Sequence, residues 1–440
     1  MASADTKLPV DRQRRRNELL LMFVAALVTI GAYSLVALGR NSTLPADIVP
    51  FLVQLLLLLL VAHIATRRLA GRADGTLLAL AALLNGLGYV IIARLSSHLA
   101  VLQATWTLIG IAVYVLTLLL VRRVESLARM KWTALLTGVV LLVLPFLPVI
   151  GRNINGSRIW IRVGTLSFQP GEMAKVALAI FLAAYLTERR ELLATGTWRV
   201  GPLRLPEPRH LGPLLLAWML SIAIMVGQRD LGSSLLFLSL FVVLVWVATA
   251  RLSYPVIAGA LFGVGAYAAY VGRFGQVFDR VSIWLDPWKQ SQGRGYQLVQ
   301  STFAFATGGV TGTGLGLGNP GRIPEAKNDF IFAAIGEELG LLGTTAVLIA
   351  FVLIIGSGLR IAVRAQRPFE KLLAAGLTTI IGLQAFVIIG GVIRVVPLTG
   401  VTLPFVSYGG SSLVANYVLL ALLVRISDET ARRTPTGQAL

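Results

Sequence analysis

The 440-residue sequence contains no cysteine, and its three histidines, His63, His98 and His210, lie far apart. A disulfide framework and thiolate chemistry are therefore excluded, and the histidines form no recognisable metal-binding motif. Charge is also scarce, since 13% of the residues are charged, against about 25% in an average soluble domain. Because 56% of the residues are hydrophobic and the mean hydropathy is +0.78, the composition indicates an integral membrane protein.

The sequence instead contains a series of apolar runs of about 18 or more residues, each long enough to cross a bilayer as a helix. They predict an all-α, polytopic bundle of about 12 transmembrane helices. The basic stretch DRQRRR precedes a full-length span without a small-residue cleavage site, so we expect the first helix to remain as an anchor. The predicted spans are 19–38, 48–65, 76–94, 101–121, 132–150, 171–187, 211–227, 231–249, 254–272, 330–356, 371–393 and 405–425.

Acidic residues are few, since 20 Asp and Glu stand against 39 Lys and Arg. Twelve spans place both termini on one side of the membrane, and that side carries 25 of the Lys and Arg residues, against 14 on the other. By the positive-inside rule, we expect both termini to be cytoplasmic. Most of the net charge of +19 is thereby explained without a nucleic-acid partner.

On the outer side, residues 273–329 are expected to form one long extracellular loop, and a loop of this length in a compact bundle is usually either functional or disordered. Its segment GYQLVQSTFAFA, residues 295–306, is typical of a helix lying in the membrane interface. We therefore expect the loop to be an ordered cover over an external site. The glycine-rich stretch at 308–321 lacks the preceding strand of a dinucleotide fingerprint. It is interpreted as a turn that lets the chain fold back closely, with phosphate contact by its N–H groups as the alternative.

Carboxylates stand where an apolar run begins, in EAKNDFIFAAIGEELG, residues 325–340. Asp329 suits a helix N-cap, and its position also suits a general base that meets a substrate at the membrane surface. The two roles are compatible. Glu337 and Glu338 lie deeper, on different faces of the same helix. We expect both to face the bundle interior, either paired with an arginine such as Arg394 or serving the function directly.

A second group of charges surrounds the start of the sixth span. Pro170 suits the first helical position and Glu172 the first turn. Lys175 lies on the same face as Glu172, so it either pairs with that carboxylate or supplies a cation to an outward cavity. Arg158 and Arg162 suit lipid headgroups or a pyrophosphate. These patterns describe a charged outward site for an anionic, lipid-linked ligand, and they fit an enzyme and a transporter equally.

Five segments, in a fixed order, resemble the motifs of the SEDS family, which includes RodA and FtsW. They are NGSRIWIRVGTLSFQPGEMAK (155–175), RDLGSSLLF (229–237), LDPW with GYQLVQS (285–301), NDFIFAAIGEELGLLG (328–343) and PLTGVTLPFVSYGGSS (397–412). The resemblance implies a peptidoglycan glycosyltransferase in the bacterial cytoplasmic membrane. Such an enzyme polymerises lipid II on the outer face and works with a class B penicillin-binding protein.

The resemblance covers residues from about 76 to 426 and divides the chain into three parts. We expect residues 71–426 to form the polymerase core. Residues 1–70 add a basic arm and two transmembrane helices that typical ten-span members lack, and residues 427–440 are expected to form a disordered cytoplasmic tail.

The resemblance also implies roles for particular residues. Asp329 corresponds to the family's catalytic aspartate, which deprotonates the 4-hydroxyl of the acceptor GlcNAc so that it displaces undecaprenyl pyrophosphate with inversion. The leaving group needs cations, for which Arg158 and Lys175 are the first candidates and Arg162 the next. The other residues expected to bind substrate or shape its cavity are Glu172, Asp230, Glu325, Lys327, Glu337, Glu338, Ser407, Tyr408, Gly409 and Gly410.

Two departures from the family pattern matter for function. Lys327 and Asn328 stand where many members have His-Thr, which puts a proton relay through histidine in doubt. Thr399 stands where division-type members commonly have Lys, which favours an elongation role over a division role. A lipid II flippase and a non-catalytic scaffold remain as alternatives. No cofactor is required by the sequence, and a divalent cation, Mg²⁺ or Mn²⁺, is possible.

Overall fold

The computed structural model describes residues 10–42, 48–148, 150–154, 157–163, 166–194, 198–200, 203–205, 208–228 and 230–433. The described residues are mostly helical. The helices are α1 (Val10–Asn41), α2 (Ile48–Leu69), α3 (Thr76–Leu95), α4 (Ser97–Leu120), α5 (Glu125–Arg129), α6 (Lys131–Val143), α7 (Pro170–Ala194), α8 (Pro208–Gly227), α9 (Leu231–Thr249), α10 (Ser253–Val271), α11 (Gly275–Leu285), α12 (Tyr296–Gly308), α13 (Ile331–Arg364), α14 (Pro368–Val392) and α15 (Gly410–Arg433).

The predicted all-α membrane bundle is confirmed. Within the described ranges, ten helices are long and apolar enough to cross a membrane, and α6 and α8 are shorter apolar helices. Helices suit this role because hydrocarbon offers backbone groups no hydrogen bonds. Several predicted boundaries are wrong, and the spans predicted to end at residues 187, 356 and 425 continue to Ala194, Arg364 and Arg433. The span predicted at 132–150 is helical only to Val143, followed by a 3₁₀ turn, Leu144–Phe146, that contains Pro145. The last span begins at Gly410 rather than at residue 405.

The core lies along α14 and α15, which are buried along most of their length. Helix α15 packs mainly against α4 and α7, and α14 packs against α7, α9 and α13. Helix α10, in contrast, has no buried residue. Exposed leucine, valine and isoleucine side chains on α1, α2 and α13 are consistent with surfaces that face lipid.

The predicted disordered tail is wrong at its start, because α15 continues to Arg433. Ser427, Asp428, Glu429 and Thr430 are buried there, so packing holds the last two turns of the helix. The remainder of that predicted tail, residues 434–440, lies outside the described residues.

Two small sheets in the connections between helices were not predicted. Strands β1 (Gly151–Ile154), β2 (Ser157–Val163) and β3 (Leu166–Phe168) form an antiparallel sheet in the order β1-β2-β3. Strands β4 (Trp198–Val200) and β5 (Leu203–Leu205) form an antiparallel pair. The sequence of β2, SRIWIRV, has the alternation and β-branched content of a strand. The pattern is short, so it is hard to recognise beside the long apolar runs around it.

Helix α13 is broken at Gly340, whose φ of 63° and ψ of −160° are not helical. The segment before this break pairs with residues of the glycine-rich stretch, because Thr313 N donates to Glu337 O at 2.9 Å and Gly314 N to Glu338 O at 3.0 Å. A Cβ at position 340 would lie 2.3 Å from Gly312 N, so this approach requires glycine. The prediction of a close turn at 308–321 is confirmed, and the turn completes a broken helix.

The N-terminal helices are joined to the rest of the bundle. Helix α1 packs closely on α3. The fully buried Glu18 of α1 pairs with Arg67 of α2 and with His63, whose Nδ1 lies 2.6 Å from Glu18 Oε1. Because a buried carboxylate is costly without partners, this cluster fixes α1 against α2.

Candidate active site

Several helices begin at the same end of the bundle. Gln169 N, just before α7, donates to Ser411 Oγ at the start of α15 at 2.7 Å. Tyr408 N, just before α15, donates to Lys327 O ahead of α13 at 2.9 Å. Helix α9 reaches the same segment, since a Cβ on its Gly232 would lie 2.6 Å from Thr399 O. The N-termini of α7, α9, α13 and α15 therefore converge, and their dipoles favour an anion at this end.

The SYGG segment holds the turn that precedes Asp329. Ser407 Oγ donates to Asn328 O at 2.6 Å and accepts from Leu403 N at 3.0 Å. Gly410 lies so close to Trp106 that a Cβ would be 2.0 Å from its ring, which explains a glycine there. Ser407 and Gly410 thus position the chain around Asp329, and Gly409 and half-buried Tyr408 lie between them.

Asp329 does not cap α13, so the predicted N-cap role of Asp329 is wrong. The N-cap position is occupied by Phe330, and no side chain caps the helix. The reason is the tight turn between residues 325 and 330, where Phe330 N donates to Glu325 O at 3.3 Å and delays the helix start. The carboxylate of Asp329 is therefore free of the capping role.

Arg280 lies close to this carboxylate. A Cβ placed on Gly400 would lie 3.7 Å from Asp329 Oδ2 and 3.9 Å from Arg280 Nη2, so both groups border the same small space. Burial and the nearby Glu325 raise the pKa of Asp329 and Arg280 lowers it, and together they place it at about 7. A carboxylate with such a pKa can accept a proton near neutral pH.

Arg280 belongs to α11, within the predicted covering loop, and the sequence interpretation missed it. Its Nη1 donates to Thr399 O at 2.9 Å, which ties α11 to the segment before α15. Burial lowers the pKa of Arg280, whereas Asp230 and Asp329 raise it. The signal available in the sequence was a single arginine within the amphipathic run GQVFDRVSIWL.

The covering loop is ordered, as predicted, and docks on this end of the bundle. Besides Arg280, Trp284 Nε1 donates to Arg394 O at 3.0 Å, and Arg394 Nη2 donates back to Trp284 O at 3.1 Å. Helix α12, within the segment predicted to be helical, packs against α13. Helix α11, through Arg280, therefore borders the space around Asp329.

Acidic neighbours complete the site. Asp230 caps α9, since its Oδ1 accepts from Ser233 N at 3.0 Å, and its charge acts on Arg280. Glu325 has a φ of 55° and accepts a hydrogen bond from Asn328 Nδ2 at 2.7 Å. The half-buried Lys327 contributes its carbonyl to the turn, as described above. Asp230 and Glu325 thus act electrostatically on the Asp329–Arg280 pair.

The predicted cations differ in availability. Lys175 Nζ lies 2.8 Å from Glu172 Oε1, and both side chains are buried, so the predicted pairing is confirmed. Arg158 and Arg162 are exposed on the same face of β2, and neither forms an ion pair within the described part of the chain. Their guanidinium groups remain open to an anionic ligand, whereas the charge of Lys175 is already matched.

The predicted pairing of the deeper glutamates with Arg394 is wrong. Glu338 is fully buried and its Oε1 accepts from Arg94 Nε at 3.0 Å, while Glu337 Oε1 accepts from Asn319 N at 2.6 Å. Arg94 comes from α3, far away in sequence, whereas Arg394 binds carbonyls of α11. These glutamates therefore hold the glycine-rich stretch against the break in α13.

In the ranges that the structure describes, no group of three or more His, Asp, Glu or Cys side chains could hold an ion. The carboxylates around Asp329 face the guanidinium of Arg280 instead.

A helical membrane bundle with a carboxylate and a guanidinium close together at one end defines a polytopic membrane protein with a charged site at that end. Residues 75–432 match the FtsW/RodA/SpoVE family, described as cell cycle proteins. The chain belongs to this family, as the sequence motifs predicted. The matched region begins at residue 75, immediately before α3.

Several proteins of similar sequence carry names from this family. The peptidoglycan glycosyltransferase RodA of Mycobacterium tuberculosis is 45% identical over 430 residues, which cover 95% of this chain and 92% of that protein. The RodA of Mycobacterium leprae is 44% identical over 425 residues, covering 94% and 90%. Stage V sporulation protein E of Bacillus subtilis is 34% identical over 317 residues, covering 71% and 83%.

Solved structures share the fold. One, described as showing structural coordination of polymerization and crosslinking by a peptidoglycan synthase complex, has a TM-score of 0.69 at 27% identity and covers 81% of this chain and 98% of its own. The crystal structure of the rod shape determining protein RodA of Thermus thermophilus has a TM-score of 0.59 at 24% identity, covering 82% and 98%.

Proposed function

We propose that this protein is a peptidoglycan glycosyltransferase that polymerises lipid II into glycan strands, with Asp329 as its general base. The observation that carries the proposal is the proximity of Asp329 and Arg280 beside Gly400, together with the pKa of about 7 that burial and the nearby charges give Asp329. Its 45% identity to a peptidoglycan glycosyltransferase RodA over nearly the whole chain supports the reaction class.

The chemistry follows from these groups. Asp329 accepts the proton of the acceptor sugar's 4-hydroxyl, and the oxygen attacks the anomeric carbon of the donor. The bond from that carbon to the undecaprenyl pyrophosphate oxygen breaks, the configuration inverts, and the electron pair leaves with the pyrophosphate. Base catalysis of this kind contributes about 100-fold to 10,000-fold.

The leaving group gains negative charge as its bond breaks, so cations near the site stabilise the transition state. We assign this role to Arg280 together with Arg158 and Arg162, and the converging helix N-termini add to it. The paired Lys175 and Glu172 are assigned to shaping the cavity, as are Ser407 and the glycines after it. A divalent cation bound through the substrate pyrophosphate would supply further charge, and no step above is routed through one.

The site is assigned to the outer face of the bacterial cytoplasmic membrane, on the charge asymmetry of the loops. A class B penicillin-binding protein is the proposed partner. The solved neighbour described as a peptidoglycan synthase complex, which coordinates polymerization and crosslinking, supports this assignment. Thr399 and the high identity to RodA proteins favour an elongation role.

The test uses purified full-length protein, with its transpeptidase partner, and lipid II. Glycan strands resolved on a gel are the expected product. A flippase would instead move labelled lipid II across proteoliposome membranes without making polymer, and that result would contradict the proposal.

A further inference from the structure

A second charged cavity lies at the opposite end of the bundle from Asp329. It has a volume of about 450 Å³ and is lined by six arginines, which places it in the size range of small-ligand pockets. These arginines come from three parts of the chain, the α4–α5 connection, the α13–α14 connection and the end of α15. They are Arg122, Arg123, Arg367, Arg425, Arg432 and Arg433.

The position of the cavity separates it from the candidate active site. Helix α15 begins at Gly410, beside the turn that holds Asp329, and ends at Arg433, which lines the cavity. Its 24 residues span about 36 Å at 1.5 Å per residue. The cavity therefore lies about a membrane thickness away, and in the proposed orientation it faces the cytoplasm.

The carboxylates around the cavity are already used. Glu429 accepts from Val124 N at 2.6 Å and from Arg433 Nη2 at 2.7 Å. Asp428 accepts from Arg72 N at 2.9 Å and lies 2.8 Å from Arg432 Nε. These contacts stabilise the walls of the cavity and leave the carboxylates little capacity to neutralise further cations.

Two of the arginines, in contrast, keep unmatched charge. Arg122 and Arg123 are exposed and form no ion pair within the described part of the chain, and Arg367 reaches Glu125 only at 3.4 Å. Arg425 is 95% buried, lies 3.7 Å from Asp428 Oδ2 and donates from Nη1 to Leu69 O at 2.6 Å, whereas its Nε has no hydrogen-bond partner among the described residues. A buried guanidinium N–H without a partner is costly, so an acceptor in the cavity would stabilise it.

We propose that this cavity is a binding site for a phosphate-bearing anion. Planar guanidinium groups bind phosphate oxygens through paired hydrogen bonds, and several arginines around one cavity suit a ligand with two or more phosphate charges. Both a nucleoside diphosphate and an anionic lipid headgroup carry this chemistry. Either ligand would link the α4–α5 connection to the end of α15.

The experiment measures binding to purified full-length protein. Inorganic pyrophosphate and ADP are titrated against protein in neutral detergent, with melting temperature and calorimetry as readouts. Protein in nanodiscs of phosphatidylcholine, with or without phosphatidic acid, is melted in parallel. Saturable stabilisation by ADP or pyrophosphate identifies a soluble ligand, and stabilisation only by phosphatidic acid identifies a headgroup. Both results support the site, and the absence of both overturns it.

Matched variants locate the binding. Arg122→Gln with Arg123→Gln removes two exposed charges from the cavity and is expected to weaken binding at least tenfold. The control, Arg129→Gln with Arg360→Gln, removes two exposed charges from arginines that do not line the cavity, and is expected to bind within about twofold of the unmodified protein after salt screening. Unchanged binding by the first variant, or an equal loss in the control, contradicts the proposal. The single variants Arg122→Gln and Arg123→Gln are measured if the double variant melts early.

Discussion

Replacing Arg280 with Gln should move the pH dependence of polymerisation upward. A Cβ on Gly400 would lie 3.9 Å from Arg280 Nη2 and 3.7 Å from Asp329 Oδ2, so these two charged atoms lie no more than about 8 Å apart. At an effective dielectric constant of about 20, the attraction between unit charges at that distance is about 2 kcal/mol. Because this attraction favours the ionised carboxylate, its loss should raise the midpoint of the pH–rate profile by about 1.5 pH units.

The sign follows from the role of a base. Asp329 must be ionised to accept a proton, so activity rises with pH through its pKa, which is about 7 in the unmodified protein. Besides the uniform loss expected from the role of Arg280 at the leaving group, a midpoint displaced by about 1.5 pH units lowers the rate by a further factor of about 15 at pH 7 but by less than about twofold at pH 9. Arg280→Lys keeps the charge and should move the midpoint less.

Initial rates of polymer formation from pH 6 to 9, at saturating lipid II, measure this shift. An unchanged midpoint would refute the electrostatic coupling of Arg280 to Asp329. An equal loss at every pH would assign Arg280 to the leaving group alone. Melting temperatures of Arg280→Gln and Arg280→Lys control for damage to the contact with Thr399.

Three further outcomes are expected. A cysteine at exposed Ser97 should react with an impermeant thiol reagent outside intact cells, whereas one at exposed Ser126 should not, and the reverse labelling would invert the proposed orientation. Glu338→Ala leaves Arg94 unpaired and should destabilise the protein by about 3 kcal/mol in thermal unfolding, so an unchanged melting temperature would contradict the role of this pair. Arg158→Gln should slow polymerisation about tenfold across the whole pH range if this residue stabilises the leaving group, and a shift in the pH midpoint instead would contradict that role.

Much of the bundle could be predicted from the sequence because long apolar runs are easily distinguished from other sequence patterns. Local patterns also predict the helix at 295–306, from its mixture of apolar and polar residues, and the close turn at 308–321, from its glycine content. The helix start after Asp329 was misplaced because the turn at Glu325 depends on contacts with the SYGG segment, which lies about 80 residues further along the chain.

Long-range charge pairing could not be predicted. The sequence suggested Arg394 as a partner for Glu338, whereas the fold brings Arg94 of α3 to it and Arg394 binds α11. Arg280 was missed because its importance depends on α11 folding back over Thr399, a contact that spacing along the chain does not encode. The sequence thus identifies single charged residues of interest, whereas the partner of each one depends on tertiary packing.

Stability gives an independent check on Asp329. Its pKa is raised in the folded protein, from 3.8 to about 7, so the folded state binds this proton more tightly than the unfolded state does. The carboxylate therefore reduces stability as the pH rises above its unfolded value, by at most about 4 kcal/mol once the pH exceeds about 7. Asp329→Asn should accordingly leave the melting temperature at pH 8 unchanged or higher.

The most direct test of the catalytic assignment is polymerisation by Asp329→Asn. Asn keeps the shape of Asp but cannot accept the proton, so the rate of glycan-strand formation should fall at least about 100-fold while lipid II binding persists. Asp286→Asn, in the same covering segment, is the matched control and should polymerise normally, because Asn can also accept the hydrogen bond from Trp288 N. Near-normal strand formation by folded Asp329→Asn would contradict the assignment of Asp329 as the base.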